Sequence, residues 1–343
     1  MLNKLGRGNV WRKVFYTFAC KQYSFSNFMH NKDSQYQMVR SNLLLVLTAI
    51  IWGFAFVAQR AGMEHVGPFT YNGIRFLLGS LSLLPLYYFT KRHEKQSAAG
   101  SVSCKRYTLN GGLLAGVVMF FAASFQQVGI VFTTAGKAGF ITGLYVIFVP
   151  VFGMLFGQKT KINIWIGAVI AVVGLYFLSI NGSLKIAIGD MLVLISALFF
   201  AVHILIIGYF SKRVDVIKLS LLQFTVCSLL SLLVAVITES FQTKAILEAA
   251  LPIIYGGIFS VGIAYTLQVS GQKHAHPSSA SIILSLESLF AAIGGWLILG
   301  EKMTTGAVLG CILMLTGMIL AQISFTRKKL FAFPLKQENH LKK

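Results

Sequence analysis

Acidic side chains are scarce in this chain. Ten Asp and Glu stand against 30 Lys and Arg in 343 residues, and charged residues of both signs make up only 12%. With 56% hydrophobic residues and a mean hydropathy of +0.73, too little polar surface remains to cover a soluble globule of this size. A water-soluble domain is therefore excluded, and the chain belongs in a bilayer. Cysteine is sparse as well: Cys20, Cys104, Cys227 and Cys311 stand singly without CxxC spacing, which indicates neither a disulfide framework nor a zinc site. There is no HExxH pair, Walker A loop, Rossmann fingerprint or one-sided cluster of Asp or His such as a membrane phosphotransferase needs. An integral-membrane enzyme thus has no motif behind it, and no cofactor or metal is expected. Without a soluble nucleotide-binding segment, an ATP-driven pump would need a partner to supply one.

A net charge of +20 would ordinarily raise nucleic acid as a partner. Position decides against it, because most of the basic residues sit in short loops and tails that bound apolar runs. Ten such runs approach the roughly 20 residues that a transmembrane helix needs. They fall near 42–59, 69–89, 108–128, 135–156, 162–180, 189–210, 218–238, 250–270, 277–299 and 303–325. With the N-terminus inside, the inner segments hold 24 Lys and Arg and the outer loops 5; leaving out the first 40 residues still gives 17 against 5. The positive-inside rule then predicts that both termini face the cytoplasm.

Residues 1–40 are basic and aromatic, with Lys4, Arg7, Arg12, Lys13, Lys21, Lys32 and Arg40, and contain no apolar run long enough for a signal-peptide core. They read as a disordered cytoplasmic tail, or as a stretch upstream of a true translation start at Met38, which N-terminal mass spectrometry on the native product would decide. Residues 326–343 read as a basic cytoplasmic C-terminal tail.

The stretch Gly139 to Leu178 recurs at an offset of 143 residues. Gly157, Gln158 and Lys159 return as Gly300, Glu301 and Lys302, while Gly167 and Gly174 return as Gly310 and Gly317. Such a duplication divides the chain into halves at 41–180 and 189–325, five runs each. An odd number of crossings per half predicts that the copies traverse the membrane in opposite senses, a plan common in secondary transporters.

The residues that carry this repeat also carry a likeness. Ile51, Trp52, Gly53 and Phe54, the run GFITGLYVIFVPV at 139–151, and LESLFAAIGGWLILGEKMTTGAVLGCILMLTG at 286–317 resemble the EamA-type branch of the drug/metabolite transporter superfamily. The resemblance covers nearly all of 41–325. It implies ten helices in two EamA repeats, a central cavity lined from both halves, and movement of small metabolites across the membrane. Family members often carry proline after the glutamate of the ninth helix; this chain has Ser288, so the likeness does not fix the shape of that helix.

Candidate functional residues follow from cost. Glu287 is the one acid deep in an apolar run, near the bilayer midplane, where an ionisable group normally faces a cavity or partner and is a candidate for proton coupling; the structural alternative is a glutamate fixed between helices. Arg75 is the one basic residue well inside a span, placed either to pair with Glu287 or to hold a substrate carboxylate. His203 is either an interhelical hydrogen-bond partner or a proton relay. His274 and His276 have no third ligand in sequence reach, which argues against a metal. Trp52, Phe56, Tyr71, Asn72, Gln126, Tyr145, Gln223, Tyr265 and Gln268 could line a cavity with aromatic walls and polar anchors. Gly112 and Gly116, Gly139 and Gly143, Gly153 and Gly157, and Gly306 and Gly310 are each four apart, a spacing that lets helices approach closely. Pro150 should bend the fourth helix.

The expectation is an all-α integral protein of the inner (cell) membrane. Its ten transmembrane helices form two inverted five-helix repeats that move amino-acid-like or other small polar metabolites by alternating access. Its partners are then the lipid bilayer and a small-molecule substrate, with no nucleic acid; proton coupling and a homodimer are both admitted. A membrane enzyme or scaffold without transport activity is the alternative.

Overall fold

A computed structural model describes residues 7–94, 102–133, 135–179, 188–300 and 305–322. Every element within them is helical. The expected C-terminal tail and Glu301 and Lys302 of the second repeat turn lie outside the described residues.

The first half comprises α1 (Arg7–Gly62), α2 (Pro68–Glu94), α3 (Val102–Phe132), α4 (Ala135–Gly143), α5 (Tyr145–Leu155) and α6 (Ile162–Ser179). The second comprises α7 (Ile188–Phe210), α8 (Val216–Thr238), the short α9 (Thr243–Glu248), α10 (Ala250–Ile254), a π-helical segment (Tyr255–Tyr265), α11 (Thr266–Gln272), α12 (Pro277–Leu284), α13 (Glu287–Leu299) and α14 (Thr305–Gln322). Helix α1 runs back through residues read as a tail, because nothing from Asn9 to Trp52 is glycine or proline and no breaker stops it.

Among the described residues, seven stretches are long and apolar enough to cross a membrane: Gln35–Gly62, Arg106–Phe132, Ala135–Leu155, Ile188–Phe210, Val216–Thr238, Ala250–Gln272 and Pro277–Ile298. The three other expected runs fall on α2, which carries Asn72 and Arg75, and on α6 and α14, whose apolar stretches Ile162–Gly174 and Val308–Ala321 are shorter. Leu155, Leu233, Val236, Ile237, Leu251 and Ile298 all stand on the outside of the bundle. An apolar exterior of this kind is tolerable only against lipid, so the molecule is a multi-pass membrane protein.

Packing joins the halves throughout. Helix α6 lies on α14, α2 on α8 and the π segment, α3 on α7 and α8, and α1 on α11, α13 and the π segment. The α6–α14 crossing is antiparallel and built from glycine. A methyl group on Gly167 would fall 2.6 Å from the carbonyl oxygen of Gly317, and one on Gly174 would fall 2.7 Å from that of Gly310. Gly112 and Gly116 admit Leu222 and Val226 of α8 in the same way. Gly157 and Gly300, the matched glycines of the two repeat turns, both take positive φ, +74° and +67°. That left-handed conformation ends a helix at little cost only for glycine.

Two of the rods are discontinuous. The first breaks at Leu144, between α4 and α5, and the second at Ser285 and Leu286, between α12 and α13. Pro150 therefore sits inside α5 rather than at the break. The second break needs no proline: Ser281 and Ser285 turn their hydroxyls back onto the carbonyls of Ser278 and Ile282. Ser288, where proline would resemble the family, instead donates its hydroxyl across the halves to the carbonyl of Gly139 at 2.5 Å.

Candidate functional site

The breaks bracket a buried cavity between the halves. Helix α1 contributes Trp52, Phe56 and Gln59; α2 contributes Arg75; α3, Gln126; α4 and α5, Thr142 and Tyr145; α7, Phe200 and Ile204; and α13, Glu287. The π segment and α11 add Ser260, Tyr265 and Gln268. The cavity measures about 30 Å³. That is room for a water molecule or two, well short of the roughly 300–1,000 Å³ that small-molecule pockets occupy.

Glu287 opens α13 and is 3% exposed. Gly53 of α1 makes this turn accessible to close packing: a methyl there would lie 2.3 Å from Phe290 Cβ and 2.8 Å from the Glu287 carbonyl oxygen. The Tyr145 hydroxyl stands beside the Glu287 side chain. Neither that hydroxyl nor Glu287 Oε1 completes a hydrogen bond. The repeat partner of Glu287, Leu144, lies at the other helix break. The two copies thus present an acid and an aliphatic side chain at equivalent positions.

Arg75, 2% exposed, does not pair with Glu287, one of the two roles expected of it. Its Nε donates to Asn72 Oδ1 at 2.9 Å, one helical turn earlier, and its guanidinium carbon lies 5.0 Å from the Phe76 ring centroid and 5.5 Å from that of Tyr71. Local partners on α2 hold the side chain on an aromatic floor, away from α13. Asn72 is anchored in turn by Nδ2 donating to the Ala123 carbonyl at 3.1 Å.

Of the residues expected from the sequence, Trp52, Arg75, Gln126, Tyr145, Tyr265, Gln268 and Glu287 meet at this cavity, as does Phe56. Trp52 and Tyr265 pack edge to face with centroids 4.5 Å apart, and Trp52 Nε1 donates to the Ser260 carbonyl at 3.1 Å. Gln126 Nε2 donates to Thr142 Oγ1 at 3.1 Å. Tyr71, Asn72, His203 and Gln223 do not line it. Tyr71 instead donates to the Pro252 carbonyl at 3.0 Å. His203 Nε2 and Gln223 Oε1 lie 3.0 Å apart in a fully buried pair whose other polar atoms, His203 Nδ1 and Gln223 Nε2, have no partner.

Gln59, Thr142, Phe200, Ile204 and Ser260 also line the cavity without having been singled out. Gln59 lies one helical turn from Phe56 and two from Trp52, so it shares their face of α1, a signal the spacing did carry. Ser260 owes its place to the π segment, whose wider turn rotates the side chains that follow. Composition does not announce that segment.

Among the described residues no three metal-ligating side chains come together. His276 serves as the N-cap of α12, its Nδ1 accepting from Ser278 N at 3.3 Å. Burial, with Lys212 and Lys161 nearby, pushes its imidazole below the ordinary histidine value.

Known proteins bear on this geometry. The model of the EamA-like transporter family matches residues 39–180 and again residues 187–322. An uncharacterized transporter from Archaeoglobus fulgidus is 31% identical over 288 residues, 82% of this chain and 86% of the relative. The uncharacterized transporter YoaV of Bacillus subtilis is 24% identical over 299 residues, 85% of this chain and all of the relative. A protein crystal structure superposes with a TM-score of 0.66 at 16% identity, covering 82% of this chain and 96% of that one, which bears on the fold alone.

Proposed function

The chain belongs to the EamA-like transporter family, and on that premise we propose that it is a secondary transporter of small polar metabolites, amino-acid-like solutes among them, working by alternating access through the central cavity. Ten membrane crossings then form two inverted five-helix repeats, 41–180 and 189–325, with both termini cytoplasmic.

The antiparallel glycine crossing supports the inversion. The repeat offset carries Gly167 to Gly310 and Gly174 to Gly317, so it exchanges the pair Gly167–Gly317 with the pair Gly174–Gly310. The packing is consistent with the same exchange. Replacing each first-half rod by its second-half counterpart turns α3 on α7 into the π segment and α11 on α1, and α3 on α8 into the π segment on α2. Two half-units related in this way can trade conformations and expose one cavity to each face in turn.

The observation that carries the reading is the cavity itself: a buried arginine, a buried glutamate and several amides, enclosed by lipid-facing helices and meeting at two helix breaks. Buried polar groups in a bilayer are costly and mark substrate or ion pathways. In its narrow form the cavity does not admit a metabolite, so the cycle includes helix movement that widens it. Glu287 beside Tyr145 is the group that would take up and release a proton.

Counterflow of labelled metabolites into proteoliposomes preloaded with the unlabelled compound tests this. Saturable uptake above protein-free vesicles is the expected result. A folded, correctly inserted protein that exchanges none of a broad panel of amino acids and other small metabolites would overturn the transport reading.

A further inference from the structure

The Arg75 guanidinium is fully enclosed between helices, and among the described residues no carboxylate pairs with it. Such a group is costly in a low-dielectric interior unless an opposite charge arrives. It is not loosely placed. Asn72, itself tied to α3, takes Nε, and Phe76 and Tyr71 supply the surface on which the guanidinium rests. With Nε engaged, the two terminal nitrogens remain, and their fork matches the two oxygens of one carboxylate.

The rest of the cavity has the opposite need. Gln59 Oε1, Gln268 Oε1 and Glu287 Oε1 are all buried acceptors without a donor. Buried polar atoms are nearly always satisfied, so a complementary ligand offers an anion at one end and N–H groups at the other.

We propose that Arg75 is the anion seat of the transport site, and that the transported molecule must carry a carboxylate, bound end-on by the Arg75 guanidinium. The N–H-bearing remainder of the ligand faces Gln59, Gln268 and Glu287. The inference rests on reading this cavity as the transport site, and it adds the charge class of what enters. Asn72 is a positioning residue, acting through Arg75.

Proteoliposome counterflow decides the matter with labelled leucine, phenylalanine and serine as carboxylate probes. Their carboxamides serve as neutral isosteres and the corresponding aminophosphonates as tetrahedral anions. The wild-type protein is expected to exchange at least one carboxylate at least about tenfold faster than its carboxamide, the discrimination of a charge-assisted hydrogen-bond pair. It should also favour the planar carboxylate over the phosphonate. Arg75→Lys, which keeps the charge and loses the fork, should erode that preference about tenfold. Arg75→Gln should abolish it.

Equal exchange of carboxylate and carboxamide by wild type, or a preference that survives Arg75→Gln, overturns the assignment while leaving transport intact. A preference for the phosphonate reassigns the seat to phosphate-like anions and overturns the carboxylate claim. No exchange of any probe by folded wild-type protein overturns the assignment, and the transport reading on which it stands falls as well if the broad metabolite panel is also left unexchanged. Should Arg75→Gln fail to fold, the wild-type isostere comparison and thermal stabilisation of the detergent-solubilised protein by leucine but not leucinamide carry the test.

Discussion

Gly167 of α6 and Gly317 of α14 lie back to back, so that a side chain on either would meet the other's carbonyl oxygen at 2.6 Å. Contacts under 3.0 Å are not available to a real Cβ, and here the obstacle is backbone, which cannot turn aside. Gly167→Ala or Gly317→Ala should therefore separate α6 from α14 and cost about 1–3 kcal/mol, read as a lowered midpoint of unfolding in detergent. Gly157→Ala is the control: it meets no atom within 4 Å but must hold a φ of +74°, so it should cost only about 1 kcal/mol. If the three variants lose equal stability, close approach is not what the glycines of α6 and α14 provide.

Glu287→Gln keeps the size and shape of the side chain while removing its ability to lose a proton. If Glu287 couples transport to protons, this variant should still exchange substrate in counterflow but no longer accumulate it against a gradient when a pH difference is imposed. Accumulation and its pH dependence that persist unchanged in Glu287→Gln would end the coupling reading. Tyr145→Phe, which removes the neighbouring hydroxyl, should shift the pH at which wild-type transport is half-maximal without abolishing exchange.

What the sequence made legible divides along physical lines. The bilayer, the duplication at 143 residues and the isolation of Glu287 and Arg75 are properties of composition and spacing, and these can be counted. Partner choice cannot. Arg75 and Glu287 look like a natural ion pair because they are rare opposite charges within reach, yet Asn72, one turn away, and the Tyr71 and Phe76 rings hold the arginine. Helix faces were likewise only half readable. Regular α-periodicity puts Trp52, Phe56 and Gln59 on one side of α1, whereas the π segment Tyr255–Tyr265 shifts the register that would have marked Ser260. Gln223, a cavity candidate because it is polar, pairs instead with His203, which takes the interhelical partner that was one of its two expected roles.

The His276 cap carries a pH dependence of known sign. Its Nδ1 can accept from Ser278 N only when that nitrogen is unprotonated, and burial beside Lys212 and Lys161 holds the folded-state pKa below the ordinary 6.5. The folded protein thus binds fewer protons than the unfolded chain around that value. The cap's contribution is present above about pH 6.5 and is lost as pH falls through the folded pKa. Thermal stability in detergent should decline on acidification through this window, and His276→Asn, an N-cap that does not titrate, should flatten the decline. An unaltered pH profile in His276→Asn would assign the acid sensitivity elsewhere.

Glu239, at the C-terminal end of α8, reaches across to the start of α2, where its two oxygens accept from Phe69 N and Thr70 N at 2.8 Å each. A carboxylate placed on the free amides of a helix N-terminus is stabilising both by hydrogen bonding and through the helix dipole. Gly67 leaves room for it, since a methyl there would lie 2.3 Å from the Glu239 carboxyl carbon. Glu239→Ala and Gly67→Ala should therefore damage one and the same contact, each costing about 1 kcal/mol. Because the second change has nothing left to break, the double variant should lose little more than the worse single one, a coupling that a double-mutant cycle in unfolding free energy measures directly. Additive losses would mean that Gly67 serves the turn before α2 for some other reason, and that the bridge from α8 does not depend on it.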